Sequence, residues 1–116
     1  MIPDEILDIQ AQLCQAMGHL ARLKIVHCLR EGAKSVNEIS ALIGYPQATT
    51  SRQLGILRNA GIVVADRHGT GVYYHIANPK IMTVCDLMRE VLTEQLNERS
   101  KILGITRVGV SDDHTG

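Results

Sequence analysis

Three cysteines, two of them beside a residue that can act as a base, are the first candidates for reactive chemistry. Cys28 follows His27, and Cys85 precedes Asp86. A nucleophilic thiol needs a base within hydrogen-bond reach, a third group that orients the base, and a site for the oxyanion. Neighbouring residues on a helix point about 100° apart, and neither pair is accompanied by a glycine-rich anion loop. These residues therefore predict neither an enzyme nor a catalytic residue.

The same cysteines are poorly arranged for a disulfide framework or a structural zinc site. They are odd in number and widely spaced, and none belongs to a Cys-x-Cys or Cys-x-x-Cys pair. Disulfide frameworks and structural zinc sites depend on closely spaced sets of ligating or pairing residues. We interpret Cys14, Cys28 and Cys85 as reduced thiols, and we predict no metal site and no cofactor.

A second distinctive feature is a run of polar side chains between residues 47 and 53. Its amide, hydroxyl and guanidinium groups are those that hydrogen-bond to base edges and phosphates. The chain has formal net charge +0, although residues 44–77 contain three arginines against one aspartate. Charge alone therefore does not identify a nucleic-acid-binding surface, and a solvated helix face is the simpler alternative. The polar side chains of this run are Gln47, Thr49, Thr50, Ser51, Arg52 and Gln53.

Apolar periodicity and helix-end signals place this polar run within a small set of elements. Apolar residues recur at spacings of three and four in several segments, and glycines mark the helix ends. Ser35 and Glu38 form a capping-box pattern at the start of the third helix, and Pro46 suits the first position of the fourth. The sequence predicts helices over residues 4–17, 19–31, 35–44, 46–60 and 78–103, and a hairpin with strands at 62–65 and 72–76.

Length and composition restrict the chain to one small aliphatic core. It has 116 residues, is 45% hydrophobic and contains neither Phe nor Trp. No apolar run approaches the ~20 residues that cross a bilayer, and residues 1–8 lack the apolar stretch of a secretory signal. We therefore expect a cytoplasmic protein that contacts no membrane. Residues 1–103 are expected to form one domain, and the non-periodic residues 104–116 a flexible tail.

The predicted order of elements is that of a winged helix-turn-helix, a mainly α fold with a β-hairpin wing. Within this order, residues 16–77 resemble the ArsR family of bacterial transcription regulators. The similar segments are the second-helix signature from Ala16 to Val26, the start of the third helix from Ser35 to Ile39, the recognition helix from Gln47 to Gly61, and the wing, with Arg67 to Gly69 followed by Val72 to Tyr74. Two departures stand out. The family commonly has Asp-Pro where this chain has His19-Leu20, which affects a helix cap, and it commonly has His where this chain has Gln53, which affects DNA preference.

The resemblance implies a sequence-specific repressor whose fourth helix lies in the major groove of double-stranded DNA. On that helix, positions 47, 48, 51, 52 and 55 share one face, opposite the apolar positions 54 and 57. We expect Gln47, Ser51 and Arg52 to contact bases or phosphates, and we place Thr49 and Gln53 at the edge of the face, where they would contact phosphates. Residues on the wing are expected to contact the backbone or the adjacent minor groove. The predicted DNA contacts are Gln47, Ala48, Thr49, Ser51, Arg52, Gln53, Arg67, His68 and Thr70.

Apolar stripes on the first and last helices exceed what one small core needs. In proteins that the chain resembles, these two helices form the dimer interface, so we expect a homodimer on a palindromic operator. The family's usual metal sites, a Cys-x-Cys pair in the third helix or Asp and His ligands in the last, are missing from the sequence.

The inducer of such a repressor is not identified by the sequence. Cys14 and Cys85 fall on the two interface stripes, where we expect them to approach each other, and they form a candidate thiol sensor. The favoured alternative is that both are buried packing residues. A winged helix that contacts only proteins is the alternative function.

Overall fold

The computed structural model describes residues 1–104 and contains the predicted elements in the predicted order. They are α1 (Asp4–Met17), α2 (Leu20–Cys28), α3 (Val36–Ile43), α4 (Gln47–Asn59), β1 (Val63–His68), β2 (Gly71–Ile76) and α5 (Lys80–Leu103). Internal contacts divide the chain into two units, Met1–Ile81 and Met82–Gly116. The predicted tail lies outside the described residues apart from Gly104, and the single domain over residues 1–103 stays a prediction.

Local hydrogen bonds fix the helix ends, and the largest correction to a predicted helix boundary is at the end of α2. The Glu38 N–H donates to Ser35 Oγ at 3.2 Å, and the Ser35 N–H donates to Glu38 Oε1 at 2.8 Å, which confirms the capping box. Gly44 ends α3 with φ of 76°, a left-handed conformation that glycine adopts without strain. The α2 helix ends at Cys28 rather than residue 31, because the following residues form tighter turns such as Arg30 N to His27 O at 3.2 Å.

The core of the first unit is aliphatic, as the composition predicts. Its fully buried large side chains come from α2, α3, α4 and the beginning of β1, so these elements enclose one core. Burial of each such side chain contributes about 1.5–3 kcal/mol to folding. The core residues are Ala16, Ala21, Ile25, Val26, Leu29, Ile39, Leu54, Leu57, Ile62 and Val63.

The hairpin is longer than predicted and is held at its base. The β1 and β2 strands pair antiparallel from Val63↔Ile76 to His68↔Gly71. Gly69 has φ of 63° while Thr70 keeps a negative φ, which suits a two-residue type II′ turn. Near the base, Tyr74 exchanges both backbone hydrogen bonds with Lys34, at 2.8 and 3.0 Å. The hairpin is therefore anchored to the segment before α3 while its tip stays exposed.

The last helix begins in the first unit and continues through the second. The Lys80 N–H donates to Asn78 Oδ1 at 2.9 Å, which caps the start of α5. Within the second unit, Arg89 Nη2 donates to Asp86 Oδ1 at 2.6 Å on the exposed surface. None of the helices in residues 1–104 carries an apolar stretch of membrane-spanning length.

Candidate nucleic-acid interface

The α4 helix has a polar outer face and a packed inner face. Four outer residues, Gln47, Ala48, Ser51 and Arg52, are exposed, and Thr49 is half-buried at the edge. The inner residues are Thr50, Gln53, Leu54 and Leu57, all buried. The apolar inner residues lie against α2, α3 and β1, which leaves the outer polar groups free to contact a partner. Four of the six predicted contacts on this helix therefore share one exposed surface.

The start of α4 is open to an anion. Pro46 occupies the N-cap with φ of −60° and ψ of 149°, rather than the first helical position that the sequence predicted, and no side chain caps the helix there. The first N–H groups of a helix have no intrahelical partner and attract negative charge. The preceding residue is held in place from α2, because Lys24 Nζ lies 5.3 Å from the centroid of the Tyr45 ring. The outer face of α4 thus begins with unpaired donors beside Gln47.

Gln53 does not lie at the edge of the outer face, where the sequence analysis placed it. Its side chain is 7% exposed, and its Oε1 accepts a hydrogen bond from Arg22 Nη1 at 2.8 Å. The same Arg22 donates from Nε to the backbone oxygen of Ala16 at 2.6 Å. This corrects the predicted placement of Gln53 at the edge of the outer face, because its amide oxygen is shielded from solvent and already accepts a hydrogen bond within the fold.

The tip of the hairpin exposes the three predicted wing residues, Arg67, His68 and Thr70. The His68 ring packs edge-on against Tyr73, with 6.1 Å between ring centroids. The hairpin's carboxylate, on Asp66, lies 3.2 Å from His75 Nδ1 on the neighbouring strand, a contact that the sequence analysis did not predict.

Two structural contacts involve residues of the second-helix signature. Its histidine, His19, is the N-cap of α2, and its Nδ1 accepts from the Ala21 N–H at 3.2 Å. The departure from Asp-Pro therefore preserves a capping acceptor. The second contact is the Arg22 link to α1 and α4, which sequence reasoning missed because both acceptors are defined only by tertiary structure.

The cysteines occupy three different surroundings. Cys14 is exposed on α1, whereas Cys28 and Cys85 are half-buried on α2 and α5. Burial raises the pKa of the Cys28 thiol above its ordinary value, while the nearby charge of Lys34 acts in the opposite direction. A raised pKa disfavours the reactive thiolate, which argues against the pairing of Cys28 with His27 as nucleophile and base. The predicted approach of Cys14 to Cys85 stays a prediction. Across residues 1–104 the structure places no three His, Cys, Asp or Glu side chains together as a metal site.

Known proteins are similar to this chain in both sequence and fold. Residues 20–64 match the family described as bacterial regulatory protein, arsR family. The HTH-type transcriptional regulator Rv0081 of Mycobacterium tuberculosis is 35% identical over 112 residues, which cover 96% of this chain and 98% of the relative. The crystal structure of Rv0081 superposes with a TM-score of 0.75 over 81% of this chain and 95% of that one.

Two further solved structures are similar. One is the solution structure of the homodimeric winged helix-turn-helix DNA-binding domain Mb0332 from Mycobacterium bovis, with a TM-score of 0.75 and 32% identity over 82% of this chain and 88% of that one. The other is the transcriptional repressor BigR from Xylella fastidiosa, with a TM-score of 0.68 and 32% identity over 76% and 90% of the two chains. The chain therefore belongs to the arsR family of bacterial regulatory proteins and is a winged helix-turn-helix transcriptional regulator.

Proposed function

We propose that this protein is a cytoplasmic repressor that binds a palindromic operator as a homodimer and leaves it in response to a signal. The observation that carries this proposal is the outer face of α4, where Gln47, Ser51 and Arg52 are exposed while the opposite face is buried. A helix fixed from behind can present these side chains to the major groove without losing core contacts.

The side-chain groups on the outer face of α4 suit different contacts with DNA. Arg52 can bind guanine through two hydrogen bonds, and Gln47 can do the same with adenine. Ser51 donates or accepts one hydrogen bond and is less selective. Ala48 lacks a polar side-chain group and suits contact with a thymine methyl, while Thr49 at the edge suits a phosphate. Base specificity is therefore assigned mainly to Arg52 and Gln47.

The wing supplies a second contact with the same DNA. Arg67, His68 and Thr70 are exposed on the hairpin tip, and the II′ turn keeps that tip narrow. A guanidinium on a narrow hairpin can contact the backbone or enter the minor groove. Such contacts fix the orientation of the protein on the duplex and add salt-dependent affinity. The wing is thus proposed to position the protein rather than to select the sequence.

Exposed apolar side chains support the homodimer. The α1 helix exposes Ile6, Leu7, Ile9 and Leu13, and α5 exposes Val84, Leu87, Met88, Val91 and Leu92. Extended apolar surface of this kind marks a protein interface, and the similar domain Mb0332 is homodimeric. A twofold dimer presents two α4 helices to half-sites about 10 base pairs apart. The operator is therefore proposed to be an inverted repeat.

The signal that releases the repressor is proposed to act on the thiols of Cys14 and Cys85 or, alternatively, to be a ligand of another chemical class that binds elsewhere. Cys14 is exposed and so open to an oxidant or persulfide, whereas Cys85 is half-buried. If they act as a sensor, mild oxidation should release the wild type from DNA, and Cys14→Ser or Cys85→Ser should abolish that response. A response that persists in the double variant would assign both thiols to packing.

The rival function, a winged helix that contacts only proteins, predicts a different α4 surface. A protein-docking surface is expected to expose apolar residues at its centre. The exposed centre of α4 is instead formed by Ser51 and Arg52. The observations on α4 therefore favour DNA.

Titration of fluorescently labelled duplex from upstream of the protein's own gene tests the proposal. Arg52→Ala and Gln47→Ala should each weaken binding by about 1–3 kcal/mol when the residue contacts a base. Arg58→Ala is the matched control, because Arg58 is an exposed arginine in the last turn of the same helix, about 16 Å along the axis from Gln47, whereas a recognition helix contacts base edges with its N-terminal residues. Unchanged affinity in both test variants, or an equal loss in the control, would contradict this assignment.

A further inference from the structure

Arg22 joins three helices of the first unit through different nitrogen atoms of one guanidinium group. Its Nε donates to the Ala16 backbone oxygen at 2.6 Å, and its Nη1 donates to Gln53 Oε1 at 2.8 Å. Ala16 lies in the last turn of α1, which contains no basic residue of its own. Backbone oxygens at a helix C-terminus lack intrahelical partners and attract positive charge. Arg22 thus caps α1 while holding α4.

The hydrogen bond from Arg22 to Gln53 is directional, whereas the apolar contacts on the α4 inner face are not. A guanidinium group is planar and its donors point at fixed angles. Leu54 and Leu57 make apolar contacts, which do not by themselves fix a rotation of the helix about its axis. The other buried polar group on this face, Thr50 Oγ1, has no hydrogen-bond partner. Gln53 is therefore the residue through which a hydrogen bond fixes the inner face of α4.

The link also connects the two surfaces to which the proposed function assigns DNA binding and dimerisation. The exposed apolar stripe is on α1 and the outer polar face is on α4. A guanidinium that bonds to both helices fixes the angle between them. In a twofold dimer that angle is applied twice, so a small change is doubled in the separation of the two recognition helices.

We propose that Arg22 and Gln53 are positioning residues that fix α4 relative to α1 and thereby set the half-site spacing that the dimer accepts. The role rests on the proposed function, because it requires a dimer bound to a two-part operator. Neither residue touches DNA. Their effect is expected on specific binding and on spacing preference, and not on the phosphate contacts that support non-specific binding.

The test uses the operator that the wild type selects from a random duplex library. It compares this operator with two versions whose spacer is longer or shorter by one base pair, and with a scrambled duplex. Removing or adding one base pair turns a half-site by about 35° around the helix axis. The variants are Gln53→Leu, which removes the acceptor, and Gln53→Glu, which retains it. Thr50→Val is the matched control, because it removes a buried polar group from the same face without breaking a hydrogen bond. Circular dichroism at the assay temperature confirms that each variant is folded.

We expect Gln53→Leu to bind the native operator about tenfold more weakly, because binding must then supply the ordering of α4 that a hydrogen bond to a charged group provides in the wild type. Its preference for the native spacing should also fall, while its affinity for the scrambled duplex stays that of the wild type. Gln53→Glu and Thr50→Val should keep both the affinity and the spacing preference. If Gln53→Leu does not fold, Arg22→Lys provides the same test, because a single ammonium group lacks the fork that reaches both acceptors.

The outcomes separate the two proposals. A wild type that binds the operator and the scrambled duplex equally contradicts the proposed function, and the positioning role falls with it. The positioning role alone is overturned by a different pair of results. In that case the wild type prefers the operator, but Gln53→Leu or Arg22→Lys retains full affinity and full spacing preference. Equal losses in Gln53→Leu and Thr50→Val would also overturn it, because the effect would then follow from any change to the inner face.

Discussion

The first and fourth helices have similar lengths but expose opposite chemistry. The α1 helix has 14 residues, of which only Ala16 is buried, and it exposes a row of large apolar side chains. The α4 helix has 13 residues, buries four of them, and exposes amide, hydroxyl and guanidinium groups. Exposure of the apolar α1 side chains to water is unfavourable in free energy, whereas the polar side chains of α4 are readily hydrated.

This difference indicates two different partners for the two surfaces. Apolar area is buried when it meets the same surface of a second copy, as in a twofold dimer. Polar groups with an arginine at the centre match the donors and acceptors of base edges. Substitutions in α1, on the inner face of α4 and on its outer face should therefore affect dimerisation, stability and DNA binding separately.

The largest effect is expected on the inner face of α4. Leu57 is fully buried, and Leu57→Ala should lower the free energy of unfolding by about 2–5 kcal/mol through lost contacts and a cavity. Ile56→Ala is the control, since the neighbouring Ile56 is 39% exposed. Urea denaturation followed by circular dichroism measures both. Similar losses in the two variants would contradict the two-faced description of α4.

The next effect, on assembly rather than on folding, is expected in α1. Ile9 is 62% exposed in the single chain, and Ile9→Lys should weaken the dimer by about 3 kcal/mol or more, because each copy contributes one isoleucine. The control is Gln15→Lys, which adds the same charge about 240° further round the helix. Sedimentation at micromolar concentration should show a monomer for Ile9→Lys and a dimer for the control. A wild type that sediments as a monomer would refute the dimer itself.

The smallest effect is expected at the cap of α2. His19 Nδ1 accepts the Ala21 N–H, and His19→Ala should cost about 1 kcal/mol of folding free energy, as loss of a capping acceptor does. His19→Asp restores an acceptor and should recover that stability. Thermal unfolding compares the three proteins, and a His19→Ala variant as stable as the wild type would show that the cap contributes nothing.

The sequence predicted the fold more completely than the details of the site. The bounds of α1 and the capping box of α3 followed from apolar spacing and from Ser35 with Glu38, because both signals are local. The C-terminal end of α2 was predicted too late in the chain, because apolar periodicity does not distinguish an α-helix from the tighter turns after Cys28. Gln53 was predicted at the exposed edge of α4 because it lies near the boundary between the two helix faces. The hydrogen bond that holds it inside comes from Arg22, which is 31 residues away in the chain.

The most direct test of the α4 assignment is selection of bound duplexes from a random DNA library by the wild type, Gln47→Ala and Arg52→Ala. The wild type should enrich an inverted repeat with half-site centres about 10 base pairs apart. Each variant should lose preference at one symmetric pair of positions and keep the rest of the motif, because each removes one base contact per half-site. Failure of the wild type to enrich any motif, or recovery of an unchanged motif by both variants, would contradict the claim that the outer face of α4 contacts the bases.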